Sequence, residues 1–358
     1  MRKFGIEEEA VLVEAASLRP ASDAHAVVEA LQHRPDTGER VTTEFLNSQV
    51  EHSTLPHERA EDARVELERA RRAVDVAALD AGLTPWRSGT PFDTPPVQAP
   101  QLAPGERYER VADEVGWLRH GHQINATHIH VEVASRDEGV RVLNASRPWL
   151  PLLLALGANS PHWQGLDTGF ASWRNTHHRR WATQGPPPEC DGADDYDARL
   201  AALVGVGPTV DVGTVGWLVR LSERYPTVEY RLFDAQLRAD DAVTLALVTR
   251  ALVGALAANE TAGARVHPEL LDAALWHAAR DGLEGTLLHP VTGEHAPAIE
   301  AVEAFFDVVL PTAGDDADAV RDGVERLLRL GYGAARQRAA LDEGGVAALR
   351  RVHLTDGG

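Results

Sequence analysis

The stretch Phe4-Gly5-Ile6-Glu7-Glu8-Glu9-Ala10-Val11-Leu12-Val13 constrains this chain more than any other. It reads as a strand, and strand alternation sets Glu7 and Glu9 on one face with Glu8 opposite. Its apolar neighbours mark it as part of a folded sheet. Two carboxylates side by side repel unless a cation lies between them. The hard cations Mg2+ and Mn2+ suit such oxygen ligands. An edge strand with a wet acidic face is the plainer reading, and it weakens as similar strands accumulate.

Three more stretches repeat the theme. Residues 40–52 read as one strand carrying Glu44, Asn47, Gln49 and Glu51, the last two on a common face. In Asn125–Val133, Thr127, Ile129 and Val131 alternate with His128, His130 and Glu132. Thr227–Phe233 sets Glu229, Arg231 and Phe233 on one face, opposite Tyr230 and Leu232. A sheet with one ionisable face implies a site lying on that sheet. Glu7, Glu9, Glu44, Glu51 and Glu229 are the expected metal ligands. Arg231, and Arg174 behind the Gly/Asp/Thr-rich loop 163–174, are candidates to grip phosphate or a substrate carboxylate. His128 and His130 suit either zinc or hydrogen bonds to an anion; we expect polar site residues, one of them free to join carboxylates at a metal.

Composition narrows the chemistry. A net charge of -19 leaves no basic field for nucleic acid. Lys3 is the only lysine, so side-chain anion clamps must be arginine. The single cysteine, Cys190, falls in a Pro/Gly/Asp-rich stretch read as a surface loop; it excludes an intrachain disulfide and a thiolate metal cluster and is a poor nucleophile. No phosphate-binding glycine motif and no serine nucleophile elbow occurs. No signal peptide and no 18-residue apolar run is seen, which implies a soluble cytoplasmic protein without membrane partners.

Elsewhere, periodicity predicts helices after Pro20, over Glu58–Leu83, from Tyr108, over 137–158 with a break at Pro148, and over Tyr196–Val204. Residues 84–105 are proline-rich and read as an irregular loop; Val210–Val219 reads as a strand. From about residue 235 the chain reads as helical to its end, and Gly331–Gly358 as a loosely attached helix and tail. The expected class is α+β, an antiparallel sheet with a polar site face packed by helices, in a single domain over 1–358.

Taken in order, these segments resemble the glutamate–cysteine ligase type 2 family, the YbdK-like carboxylate–amine ligases. Gly5-Ile6-Glu7-Glu8-Glu9 is similar to its Gly-Val-Glu-x-Glu, and Glu44 with Ser48-Gln49-Val50-Glu51 to its second acidic strand. Thr127-His128-Ile129-His130 resembles its Gly-x-His-Val-His segment, and Thr227–Asp234 its Thr-x-Glu-x-Arg-x-x-Asp strand. Ala155–Pro161 with Gln164–Arg174 is the fullest match. The sequence departs from the family at Thr127, Glu132 and Gly157, expected near the pocket.

The resemblance implies a glutamine-synthetase-like catalytic domain, ATP and Mg2+ (or Mn2+) as cofactors, small-molecule amino acid and amine substrates, and a possible homodimer. It implies an ATP-dependent ligase that activates the γ-carboxylate of L-glutamate as an acyl phosphate for L-cysteine or another amine. Glu9, Arg174, Glu229 and Arg231 take the catalytic positions, and His128, His130, Asn159, Arg174 and Arg231 the nucleotide and substrate contacts. The competing readings are another Mg2+-dependent phosphoryl-transfer enzyme such as a guanidino kinase, a non-catalytic metabolite-binding relative, and a zinc hydrolase built on His128 and His130.

Overall fold

Strand β1 (Phe4–Glu14) is the axis of an antiparallel sheet in the computed structural model, which describes residues 1–22, 24–34, 37–94, 100–259 and 261–354, apart from the side chain of Glu39. β2 (Val41–Thr43) and β3 (Gln49–Ser53) lie on one side of β1, and β5 (Ala126–Glu132), β9 (Thr227–Asp234) and β8 (Val219–Leu221) on the other. β4 (Leu83–Trp86) pairs with the C-terminal half of β1. Two short hairpins stand apart: β6 (His162–Trp163) with β7 (Leu166–Asp167), and β10 (Thr286–Leu288) with β11 (His295–Pro297).

Alternation along β1 divides the molecule. Phe4 and Ile6 face a large apolar core; Ala10 and Leu12 on the same side face a smaller one. Helices α1 (Ala24–Gln32), α2 (Ala60–Asp80), α4 (Arg136–Ser146) and α8 (Ala239–Ala258) supply these cores. Helix α1 buries Ala24, Val27, Val28 and Leu31, the stripe its sequence predicts. Of the two residues suited to cap it, Ser22 and Asp23, the second lies outside the described residues, as do Pro35 and Asp36 of the turn that the sequence suggests over 35–38. Around Pro148, α4 gives way to a single 3-10 turn and then α5 (Leu150–Leu156), as expected for an imino acid that cannot donate to the helix ladder. Helices α3 (Glu106–Val115), α6 (Trp173–His178) and α7 (Ala193–Val206) precede α8 in the chain, and α9 (Pro268–Asp281), α10 (Ala298–Val309), α11 (Ala317–Leu330) and α12 (Gly333–Arg351) follow it.

Several expectations are corrected. The single strand over 40–52 is a hairpin, β2 turning into β3, so Glu44 stands on the turn and not within a strand. The proline-rich loop begins with strand β4, its Pro85 tolerated beside β1. Val210–Val219 holds a 3-10 turn before β8. The C-terminal part is not all helix, because β10 and β11 interrupt it. Helix α2 is not solvated along its whole charged face: Arg71 and Asp75 are buried. Cys190 is no loose surface thiol; it is 4% exposed, with Asn144 bonding its backbone on both sides. Helix α8 is long and apolar enough on average to cross a membrane, but Arg250 interrupts its apolar run and 83% of that stretch is buried as the central core helix.

The last correction is the largest. Helix α12, broken at Gly344–Gly345, is anchored along its length. Gln337 donates to Asn159 and to Ser88, Arg338 pairs with Asp167, and His353 stacks on Trp86 at 3.6 Å between ring centres. Gly333 is required where α12 begins, because a Cβ there would stand 2.2 Å from the Asn159 side chain.

Candidate active site

The polar face is built by strand register. Pairing sets Glu7 opposite His128, Glu9 opposite Glu51, and Glu229 between His130 on β5 and Arg220 on β8. All seven therefore point off the same side of the sheet. Glu7 receives His128 Nδ1 at 3.3 Å and His130 Nε2 at 3.2 Å. Glu229 accepts from Arg220 Nε at 2.7 Å and from Arg231 Nη1. Glu9 accepts from the Ala126 backbone N–H at 2.8 Å.

One irregularity aims the arginines. The β5–β9 register slips between Thr127 and Ile129, so that Arg231 and Leu232 together oppose His128. Simple alternation fails beyond this bulge. Phe233, expected beside Glu229 and Arg231, turns into the apolar core, and Asp234 comes under the polar face. Asp234 is fully buried and accepts from the Asn159 N–H at 2.7 Å, Ser160 Oγ at 2.7 Å and Ser172 Oγ at 3.0 Å. The same Ser160 and Ser172 start α6 and hold Arg174, whose guanidinium donates to the carbonyls of Arg231 and Leu232. The loop most similar to the family motif thus works as a clamp that delivers Arg174 to the floor of the cleft.

Electrostatics split the acids into two groups. Burial works against ionising Glu7, but the hydrogen bonds of His128 and His130 win and hold it well below the usual range. Burial likewise opposes Glu229, and the charges of Arg231 and Arg220 overcome it. The other three lack such partners. Burial, with the Glu44 charge beside it, pushes the Glu9 carboxyl up to about 8. Burial lifts Glu44 despite Arg231, and lifts Glu51 well above its ordinary value with help from Glu44, Glu7 and Glu9. Burial and the neighbouring Arg231 pull His128 down to about 4; burial pulls on His130 too, but its bond to Glu7 outweighs that and raises it.

These charges suit a divalent cation. Glu9, Glu44 and Glu51 are oxygen donors enclosed by protein with too little positive charge nearby, which is what a hard cation relieves. Glu7, His128 and Glu229 form a second group, their ligand atoms within 4.8 Å of one another. Of the expected site residues, register brings Glu7, Glu9, Glu51, His128, His130, Glu229 and Arg231 onto one face, with Glu44 and Arg174 at its border. Asn159 is elsewhere. It is fully buried, and its amide donates to the carbonyls of Arg87 and Ala235 and accepts from Gln337, so it braces the clamp beneath the cleft. Gly157 and Glu132 do not line the cleft either. Gly157 makes room for Phe233, whose ring a Cβ would meet at 2.5 Å; Glu132 receives the Lys3 N–H at the strand end.

Other lining residues escaped sequence reasoning. The cavity over the acids, about 120 Å³, has Arg107 and Tyr108 from α3 in one wall. An aromatic wall adjoins them: His122 stacks on Trp181 at 4.2 Å, and Phe45 meets Trp181 edge-on at 5.9 Å. Burial holds His122 and His178 well below their ordinary pKa, so both are neutral. Arg220 was missed as well. None of these belongs to a run whose period betrays a strand face, and only packing brings them together. The clustering of Trp163, Trp173 and Trp181 with His177 and His178 was the available signal.

Comparison with known proteins bears on the family and the fold. Residues 3–352 match the family described as glutamate–cysteine ligase family 2. A Streptomyces coelicolor protein named "Putative glutamate–cysteine ligase 2" is 39% identical over 359 residues, 98% of this chain and 97% of that protein. "Putative glutamate–cysteine ligase 2-1" of Rhodococcus jostii is 37% identical over 96% of this chain and 93% of its own length. Among solved structures, the glutamate–cysteine ligase of Francisella tularensis in complex with AMP superposes with a TM-score of 0.73 at 15% identity, covering 98% of this chain and 87% of that one. The bifunctional glutathione synthetase of Pasteurella multocida gives 0.69 at 17% identity, over 98% of this chain and 52% of that one. At such identities these two likenesses establish the fold.

Proposed function

The chain belongs to glutamate–cysteine ligase family 2, and from that membership we propose that it is an ATP-dependent ligase joining the γ-carboxylate of L-glutamate to L-cysteine or another small amine. The observation that carries the reading is the trio Glu9, Glu44 and Glu51, under-neutralised and enclosed beside Arg174 and Arg231. Family membership disfavours the kinase, binding-module and zinc-hydrolase alternatives.

Glu7, Glu9, Glu44, Glu51 and Glu229 are the residues that would hold Mg2+ or Mn2+, with His128 able to join Glu7 and Glu229. The metal, when bound, neutralises phosphate charge that would otherwise repel an attacking carboxylate. The substrate carboxylate oxygen attacks the ATP γ-phosphorus and the bond to the ADP oxygen breaks, leaving an acyl phosphate. The amine nitrogen then attacks the acyl carbon, loses its proton, and phosphate leaves with the C–O bonding pair. Arg231 is suited to grip an anion near the carboxylates, because Glu229, itself held by Arg220, braces it from behind. Arg174, fixed by two backbone carbonyls, leaves its buried Nε unpartnered for an acceptor. The neutral His122 and the aromatic wall suit an apolar moiety and keep water from the acyl phosphate.

A phosphate-release screen with ATP and Mg2+, pairing glutamate and other carboxylates against amino acids and amines, with mass spectrometry of products, tests the proposal. A γ-glutamyl amide is expected. A product without a glutamyl group overturns the carboxylate assignment, and a strong preference for a non-thiol amine removes cysteine while keeping the chemistry.

A further inference from the structure

The reverse side of the sheet carries a second cavity, about 330 Å³ and larger than the one over the acids. It lies between α2, the start of α8 and α12, and among the described residues it is lined by Arg71, Arg72, Arg336 and Arg351, together with the partnered Arg238, against two acids, Glu68 and Asp240. Such a concentration is unexpected in a chain of net charge -19. Like charges gathered around a cavity raise the folded state's energy unless an anion joins them.

The known partners satisfy only part of this charge. Arg71, at the floor, is buried and held by Glu8 and by the carbonyls of Gln236 and Leu237, which take four of its five N–H groups. Among the described residues, Arg72 has only Glu68, at 3.5 Å, and is 57% exposed. Arg336 reaches Asp241 through Nη2, while its buried Nε has no partner among those residues. Among the described residues, no ion pair or side-chain hydrogen bond holds Arg351. The 20-residue helix α8 begins at Ala239 in the same wall, adding the positive end of its dipole. Guanidinium forks from three helices, a buried unpartnered N–H and room for several heavy atoms combine in one place.

We propose that this cavity is a binding site for a small phosphate-bearing anion, separate from the catalytic cleft. Phosphate offers the tetrahedral set of acceptors that several arginines can share, and it carries more than one charge at neutral pH. The site has a direct route to the active face. Arg71 holds Glu8, and Glu8 lies on β1 between Glu7 and Glu9, so an anion drawing on Arg71 acts on the strand that bears two candidate metal ligands.

The test is calorimetric titration of the full-length protein with inorganic pyrophosphate at fixed ionic strength, in EDTA to keep metal from the catalytic cleft. One-site binding is expected, weakened about tenfold or more in the Arg72→Ala/Arg351→Ala double variant. Both positions are exposed, so the double variant should melt within a degree or two of the parent, which shows it folded. Arg107→Ala, in the cleft, should bind pyrophosphate like the parent. Unchanged affinity in the folded double variant overturns the proposal, as does loss of binding in Arg107→Ala alone. Absence of binding at millimolar pyrophosphate, or preference for citrate over pyrophosphate, overturns the phosphate assignment.

Discussion

Glu9 is where function and stability oppose each other. Its carboxyl is raised from 4.5 to about 8, so across that interval the folded state holds a proton that the unfolded chain has released, and stability falls as pH rises. Glu44 and Glu51 act in the same direction. His130, raised through Glu7, also loses stabilisation as pH rises through its folded value. Glu7 and Glu229 have the opposite sign: their contribution is present above the ordinary glutamate range and is lost on acidification below it. Between about pH 7.5 and about pH 8.5 the depressed histidines are neutral in the folded and the unfolded chain alike, so the raised groups dominate. Metal-free protein should therefore melt at a lower temperature at about pH 8.5 than at about pH 7.5, and Mg2+ or Mn2+ should restore the difference. A flat profile would show that no buried carboxyl is raised. Glu9→Gln removes the unfavourable charge while keeping the shape. We expect it to melt higher than the parent at about pH 8.5 without metal, and to lose turnover by roughly a hundredfold or more. Near-parental turnover would remove Glu9 from the chemistry. Arg231→Lys keeps the charge but cannot hold Glu229 and an anion with one planar fork; about a hundredfold loss in kcat/KM is expected, and unchanged ATP and amino-acid kinetics would refute the role.

At the scale of elements, alternation was the readable signal. β1, β5 and β9 are long enough for the period of two to show, and their polar residues fall on one side as the sequence predicts. The three- to five-residue strands β2, β3, β4 and β8 carry too few repeats, and β4 contains a proline, so pairing to a longer neighbour defines them. The bulge opposite His128 was invisible for the same reason: a one-residue slip is a property of two strands, and it reversed Phe233 and Asp234. It also explains Gly157, read in the sequence as a pocket change and found instead against the displaced Phe233 ring. Gly157→Ser should cost about 1–3 kcal/mol by overpacking, read from urea denaturation. Phe233→Leu in the same chain should recover part of it. Additive losses in the double variant would place the clash elsewhere.

At the scale of the molecule, the chain closes on itself. Gln337, Arg338 and His353 tie the last helix to residues of the clamp, the β6–β7 hairpin and β4. A chain ending at Leu330 should lose cooperative thermal unfolding and become protease-sensitive in the segment around Asn159; a sharp, near-parental melt would show α12 dispensable. Sequence reading missed this attachment because α12 contributes few large apolar side chains. Its hold is polar and relies on the close approach at Gly333.

The central position of β1 has a consequence for biosynthesis. The first strand made must wait for β5, which begins at residue 126, before both of its edges are paired. At ribosomal speeds of about 5–20 residues per second that is a wait of roughly six to twenty-five seconds. Throughout it, a strand of high β propensity has unpaired edges open to other nascent chains. Glu7, Glu8 and Glu9 sit in its middle, and their mutual repulsion, costly in the finished metal-free sheet, discourages pairing with another copy of itself. The acids proposed to hold a cation in the folded protein thus protect the same strand while it awaits the rest of its own chain.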